Sequence, residues 1–309
     1  MAKTGAMGQA APTIAPARKL LTAARKAATA AVPPEGVAAL AALKNEVAAL
    51  RPPSHYQSFG PAIAIAQGVL LGLGPEAFAG AHALAMIDAI EAFAARQPAG
   101  GYPPSILDRF ALSYDRILAK IAAADWDGYD RPGDLLWKDL GLATQRLMPG
   151  GARVIEPEAH LPRSLIWRGG AGQAIRAARL LAGGTGPYLC LHTHAYELEE
   201  FNPAGWEATF HRIADLLRQR PALKGVFVGG WLYDPGLPAV TPRLGFHRAL
   251  TLPRGAATYF YQRDGADSLA FAKSETRRQA FEEGRYTPEQ HMLVWPRKPL
   301  LAWDAATRT

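Results

Sequence analysis

Between residues 36 and 123 the apolar positions recur every three or four residues, the spacing that lines one face of a helix. The run GVAALAALKNEVAAL over 36–50 predicts a helix that stops at Arg51-Pro52-Pro53, because neither proline can donate a backbone hydrogen bond. Further helices are predicted over 61–72 and 75–96, the second carrying Phe78, Leu84, Ile87, Ile90 and Phe93 near helical spacing. After a loop over 98–104, residues 105–123 form an amphipathic helix with Ile106, Phe110, Tyr114, Ile117 and Ile121 on one face.

The pattern then shortens. Segments 143–148, 152–156 and 164–167, separated by Pro-Gly-Gly and Leu-Pro turns, read as strands. A helix over 173–181 stops at Gly183-Gly184 and leads to a strand over 187–194, a helix over 203–220 and a strand over 224–231. A proline-rich turn and a short helix over 243–249 precede a strand at 256–262 and a helix at 267–283. Residues 291–295 and 300–303 supply the last strand or strands. Strands and helices interleaved by short connections predict a mixed α/β fold of the α+β kind, one mixed sheet flanked by helices. Three regions follow: a flexible, basic, Ala-rich tail over 1–34, a helical region over 35–140, and the sheet domain over 141–309.

Charge narrows the partners. The chain of 309 residues has a net charge of +7 and 49% apolar residues. Residues 1–34 hold Lys3, Arg18, Lys19, Arg25 and Lys26 without an acid, so the remaining body is only +2. A body so near neutral lacks the basic stripe that a nucleic-acid partner would need. The apolar run 62–73 is broken by Gln67, Gly68 and Gly72, too short and too interrupted to span a membrane. The single cysteine allows no intrachain disulfide, which fits a cytoplasmic protein. Oligomeric state is left open.

Candidate chemistry concentrates in PYLCLHTHAYELEEFN, residues 187–202. Strand side chains alternate, so Cys190, His192 and His194 share one face at the C-terminal end of a strand, where α/β sheets tend to carry chemistry. Imidazoles two residues apart on a strand lie about 6–7 Å apart at the backbone, close enough to share a metal. His192 and His194 are therefore candidates for acid–base work, for metal ligation with Glu199, Glu197 or a distant His160, His247 or His291 as a third ligand, or for a structural role. Gly229-Gly230-Trp231-Leu232-Tyr233-Asp234 is the second candidate: Tyr233 and Asp234 as catalytic or positioning groups, Trp231 as a ligand-stacking surface, or else a rigid turn with aromatics capping the core. Arg146, Arg163, Arg277 and Arg297 are candidates to bind an acidic group of the substrate.

The succession from about 143 to 303 resembles the GNAT acyltransferase superfamily. In that fold a strand ending in a splayed loop feeds a helix whose N-terminus holds the coenzyme A pyrophosphate. The corresponding piece here is Glu200-Phe201-Asn202-Pro203-Ala204-Gly205, with Asn202 as N-cap, Pro203 at the first helical position and Gly205 in the phosphate turn. The glycine-rich phosphate loop usual in the superfamily is absent, and three glutamates precede the helix. Trp231–Pro235, Ser274–Arg278 and Trp295–Arg297 also resemble segments of uncharacterised bacterial proteins, a likeness that implies no activity.

The resemblance, which is one of element order and carries over no catalytic residue, implies an acyltransferase with acyl-CoA as co-substrate. The His-rich strand end and the arginines add the expectation of His192 or His194 as general base and of a small polar or anionic metabolite as acceptor. The alternatives are a metal-dependent hydrolase or oxygenase built on His192, His194 and Glu199, and a non-enzymatic ligand-binding or adaptor protein.

Overall fold

Residues 16–50, 55–96, 101–195 and 197–308 are described by the computed structural model. They belong to two units, Met1–Leu50 with Gln57–Gln145 and Arg51–Tyr56 with Arg146–Thr309.

The first unit is helical: α1 Arg18–Ala31, α2 Val37–Ala49, α3 Pro61–Gly72, α4 Pro75–Arg96, α5 Pro104–Ala122 and α6 Asp134–Ala143. Proline opens α3 and α5 at a position whose N–H a helix would leave unbonded anyway. The apolar residues of α4 are buried because α1, α2, α3, α5 and α6 all pack on it. Among the described residues α4 is the one helix long and apolar enough to cross a membrane, yet 72% of that stretch is buried, which makes it a core helix. The flexible tail expected through residue 34 needs correction over 18–31. There α1 buries Ala24 and Ala28 and packs against α4 and α5, while Arg25 ion-pairs with Asp88 and Glu91 at 2.9 and 2.5 Å. The charged and apolar residues of α1 segregate onto opposite faces, the pattern of a helix packed on one side. Residues 1–15 of the expected tail lie outside the described residues.

In the second unit the elements run β1 Met148–Pro149, β2 Arg153–Ala159, α7 Leu165–Arg168, α8 Ala171–Ala182, β3 Tyr188–Thr193, α9 Pro203–Gln219, β4 Gly225–Gly230, α10 Leu237–Val240, α11 Phe246–Ala249, β5 Ala257–Arg263, α12 Glu275–Glu282, β6 Glu289–Pro296 and α13 Arg297–Thr307. The strands form one mixed sheet in the order β1-β2-β3-β4-β6-β5. All neighbours are antiparallel except β3 and β4, which are parallel. Tyr188, Cys190, Phe227, Tyr259, Met292 and Val294 pack on one face with Leu165 of α7 and Ala177 of α8. On the other face α9 and α13 bring Phe210 and Trp303 onto Trp295 of β6, with ring centroids 4.9 and 5.1 Å away. A mixed sheet flanked by helices is thus the fold of this unit.

Three local expectations fail. Residues 164–167 are not a strand but mostly α7. Residues 300–303 belong to α13, where Leu300, Trp303 and Asp304 are buried at helical spacing behind Pro299. The segment 143–148 is the end of α6 and a turn, with only Met148 in a strand. Short apolar runs do not distinguish strand from helix by themselves.

One feature of the sheet positions the site. The β3–β4 ladder holds the pairs Leu189↔Val226 and Cys190↔Phe227 and then ends. Beyond it, Leu191, His192 and Thr193 stay paired with β2 on their outer side, as Val228, Gly229 and Gly230 do with β6. The sheet therefore opens between two parallel strands at their C-terminal ends. Gly230, at φ 152°, makes the turn out of β4 in a conformation that side chains rarely adopt.

Candidate functional site

His192 stands on β3 at this opening. Its Nε2 lies 2.8 Å from Oε2 of Glu156 on β2. A carboxylate only accepts hydrogen bonds, so the imidazole Nε2–H donates and Nδ1 carries the lone pair. Glu156 is buried and His192 is about one-fifth exposed, so the pair is oriented from inside and reachable from outside. His55 Nε2 is 3.9 Å from the same carboxylate oxygen, and the Tyr56 ring packs 4.9 Å from the His192 ring. Arg146, fully buried, donates to the carbonyl of His55 and is electrostatically coupled to Glu156. Arg146 thus holds the segment that lies over the pair.

The other candidates disperse. His194 lies one residue beyond β3 and is fully buried. Its backbone N–H reaches Ala152 O at 3.3 Å. Glu199 is exposed. Among the described residues the groups able to hold a metal are Glu156–Cys190–His192 and Asp234–Glu289–His291, each with ligand atoms within 4.8 Å of one another. The expected set His192–His194–Glu199 is not assembled. In its place, cross-strand register sets Glu156 opposite Cys190. Burial pushes the Cys190 thiol up, with the Glu156 charge acting the same way, so the sulfur is a protonated, inert neighbour in the absence of a cation.

Asp234 is engaged by backbone. One oxygen accepts from Gly236 N at 2.7 Å and the other from Glu289 N at 3.0 Å, tying the turn after β4 to the start of β6. Trp231 is covered by the guanidinium of Arg277, 4.6 Å from the ring centroid. Arg277 itself donates to Ala270 O at 2.6 Å. Arg297 donates to the carbonyls of Leu217 and Arg220, groups that the C-terminal end of α9 leaves open. Arg163 is exposed. Asp234, Arg277 and Arg297 are thus bonded to the chain itself, Trp231 lies under Arg277, and Arg163 stands on the surface.

The helix expected to hold a pyrophosphate is closed by its own chain. Asn202 caps α9 by accepting from Gly205 N at 2.9 Å. A Cβ at Gly205 would stand 2.1 Å from Glu200 O, so this glycine permits close backbone packing and no phosphate cradle. Glu200 is paired with Arg212 at 2.9 Å.

Tyr233, just after β4, is fully buried, its ring 6.4 Å from that of Trp206 and 6.0 Å from that of His247. Desolvation pushes its phenol well above the ordinary range, with Arg153 opposing and Cys190 adding to the shift. Gly229 and Gly230 line a hollow of about 220 Å³ with Tyr261, His291 and Met292 at the free end of β4.

No family model matches this sequence, and no curated protein matches it. Among solved structures the chain is similar to an acyltransferase determined in complex with decanoyl-CoA and teicoplanin. The two share 16% identity and a TM-score of 0.51, over 91% of this chain and 88% of that one. The fold is acyltransferase-like.

Proposed function

We propose that this chain transfers an acyl group from a coenzyme A thioester to an amine on a small polar or anionic molecule. The observation that carries the reading is the sheet opening between β3 and β4, with the His192–Glu156 pair at its rim. Diverging parallel strands present backbone N–H and C=O groups on facing edges, and the amide-bearing arm of coenzyme A can pair with such an edge as an added strand would. The acyltransferase-like fold of the solved neighbour supports the same reading.

His192 is the general base. Its Nδ1 takes a proton from the attacking amine while Glu156 holds the ring through Nε2 and stabilises the imidazolium that forms. The amine nitrogen bonds to the thioester carbonyl carbon, the carbon–sulfur bond breaks, and sulfur leaves as thiolate. Water then carries the proton from His192 to the sulfur. Tyr233 positions the substrate. The α9 N-terminus plays no part, since its capping is internal.

A second reading has one observation behind it: Glu156, Cys190 and His192 could hold a metal in a hydrolase or oxygenase. One set of measurements decides. Coenzyme A or acetyl-CoA is expected to raise the unfolding temperature of protein purified without chelator, and His192→Ala is expected to lower thioester-dependent acyl transfer by about 10²–10⁴-fold with binding retained. No thermal response to either compound removes the acyltransferase reading. Stoichiometric zinc or iron by elemental analysis would establish the second.

A further inference from the structure

Arg153 is the first residue of β2, opposite Thr193 at the end of β3. Only 2% of it is exposed. Its guanidinium carbon stands 4.7 Å from the ring of Trp206 and 5.4 Å from that of Phe201. Nη1 donates to the Thr193 hydroxyl. Nε and Nη2 are buried without a hydrogen-bond partner, and among the described residues Arg153 forms no ion pair. These two N–H groups lie along one edge of the guanidinium, the edge that receives both oxygens of a carboxylate side-on.

The neighbours share this condition. The Tyr233 hydroxyl, His247 Nε2 and Trp206 Nε1 are also buried without partners. The His247 ring packs 4.7 Å from Trp206 and 6.0 Å from Tyr233. An unsatisfied buried polar group is costly, and an unpaired buried charge more so. Each buried orphan needs a cause, and such a concentration at one place needs a common one.

We propose that Arg153 and the Tyr233 hydroxyl bind a carboxylate of the substrate, on the α9 side of the sheet at the opening between β3 and β4. One guanidinium balances one carboxylate, whereas a phosphate dianion would leave charge unpaired in the interior. His247 adds no second charge. Its Nδ1 donates to Leu244 O at 3.0 Å, and burial with the nearby Arg153 holds its pKa down to about 3. Its Nε2 is therefore an acceptor for an N–H or O–H on the same ligand. The carboxylate belongs either to the acyl group or to the acceptor, an assignment that rests on the acyl-transfer reading; the binding site itself does not.

The test uses acetate and succinate as probes on the whole protein, with succinamide as the uncharged control and coenzyme A measured separately. Acetate or succinate is expected to raise the unfolding temperature of the wild type, and succinamide is not. Arg153→Met and Arg153→Lys are both expected to weaken this binding about tenfold or more, while binding coenzyme A as the wild type does. Arg153→Met is expected to unfold at or above the wild-type temperature, because it removes an unpaired buried charge. Succinyl-CoA binding about tenfold tighter than butyryl-CoA, in the wild type alone, places the carboxylate on the acyl group. Equal binding of the two, with the succinate response intact, places it on the acceptor. A wild type that ignores acetate and succinate, an Arg153→Met that binds them unchanged, or one that unfolds several degrees lower overturns the proposal. A carboxylate response without any coenzyme A response would leave this site standing and remove the acyl-transfer reading alone.

Discussion

In the helical unit Asp139 is fully buried and met on both carboxylate oxygens by Arg116, with the Tyr129 hydroxyl donating to Oδ2 at 2.5 Å. In the sheet unit Arg153 is buried almost as deeply, with one of its three nitrogens bonded. The same contrast recurs in the histidines. His82 of the helical unit engages Gln67 at 3.0 Å and the Phe78 carbonyl at 2.8 Å, whereas His247 uses Nδ1 alone. Burial is therefore not what separates a structural polar group from a binding one. What separates them is whether the chain itself supplies the partner.

Breaking a satisfied pair should give the largest effect. Asp139→Asn is expected to destabilise the helical unit by about 3 kcal/mol, since Arg116 loses its counter-charge while Asp139's site stays buried. Chemical denaturation with a helix signal measures it, and a change near zero would place Asp139 with the unsatisfied groups of the other unit. Next comes the response to acid. Burial lowers the His82 pKa to about 4, so unfolded His82 takes up its proton near pH 6.5 while folded His82 stays neutral. Stability is then full above about pH 6.5 and falls by about 3 kcal/mol as the pH drops toward 4. His82→Leu should flatten that part of the stability–pH curve, and an unchanged slope would show that His82 titrates normally. The smallest effect is expected at the surface: Arg163→Ala should change stability by less than about 0.5 kcal/mol and leave acetate and succinate binding alone. A lost response there would move the anion site from Arg153 to the surface.

Much of the architecture was legible from spacing. The helices at 36–50, 61–72, 75–96 and 105–123 follow strong periodicity, and the run of strand, helix and strand over 187–231 follows Pro and Gly punctuation. Of the misassigned pieces, 164–167 and 300–303 hold short apolar runs in which either period fits, and 143–148 straddles the end of a helix and a turn. The site was less legible for a physical reason. His192 could be singled out because it sits on a strand face, but its partner Glu156 is fixed by antiparallel register, and His55 and Tyr56 arrive from a segment distant in sequence. Asp234 has turn chemistry and chemistry for catalysis in the same side chain, and only the bonds from Gly236 and Glu289 show which is used. Arg153 offered one signal, a charge at the start of a short strand, and an ion pair with one of the glutamates of that strand would have explained it equally well.

The early end of the β3–β4 ladder has a mechanical consequence. It leaves β1-β2-β3 and β4-β6-β5 as two halves of a sheet joined at only one end of their common seam. A molecule laid along that seam would stitch the halves together through its own amides, so occupancy and stiffening become a single event. His192 on β3 and Tyr233 in the turn after β4 stand on opposite sides of the seam, and their separation is set by whatever closes it.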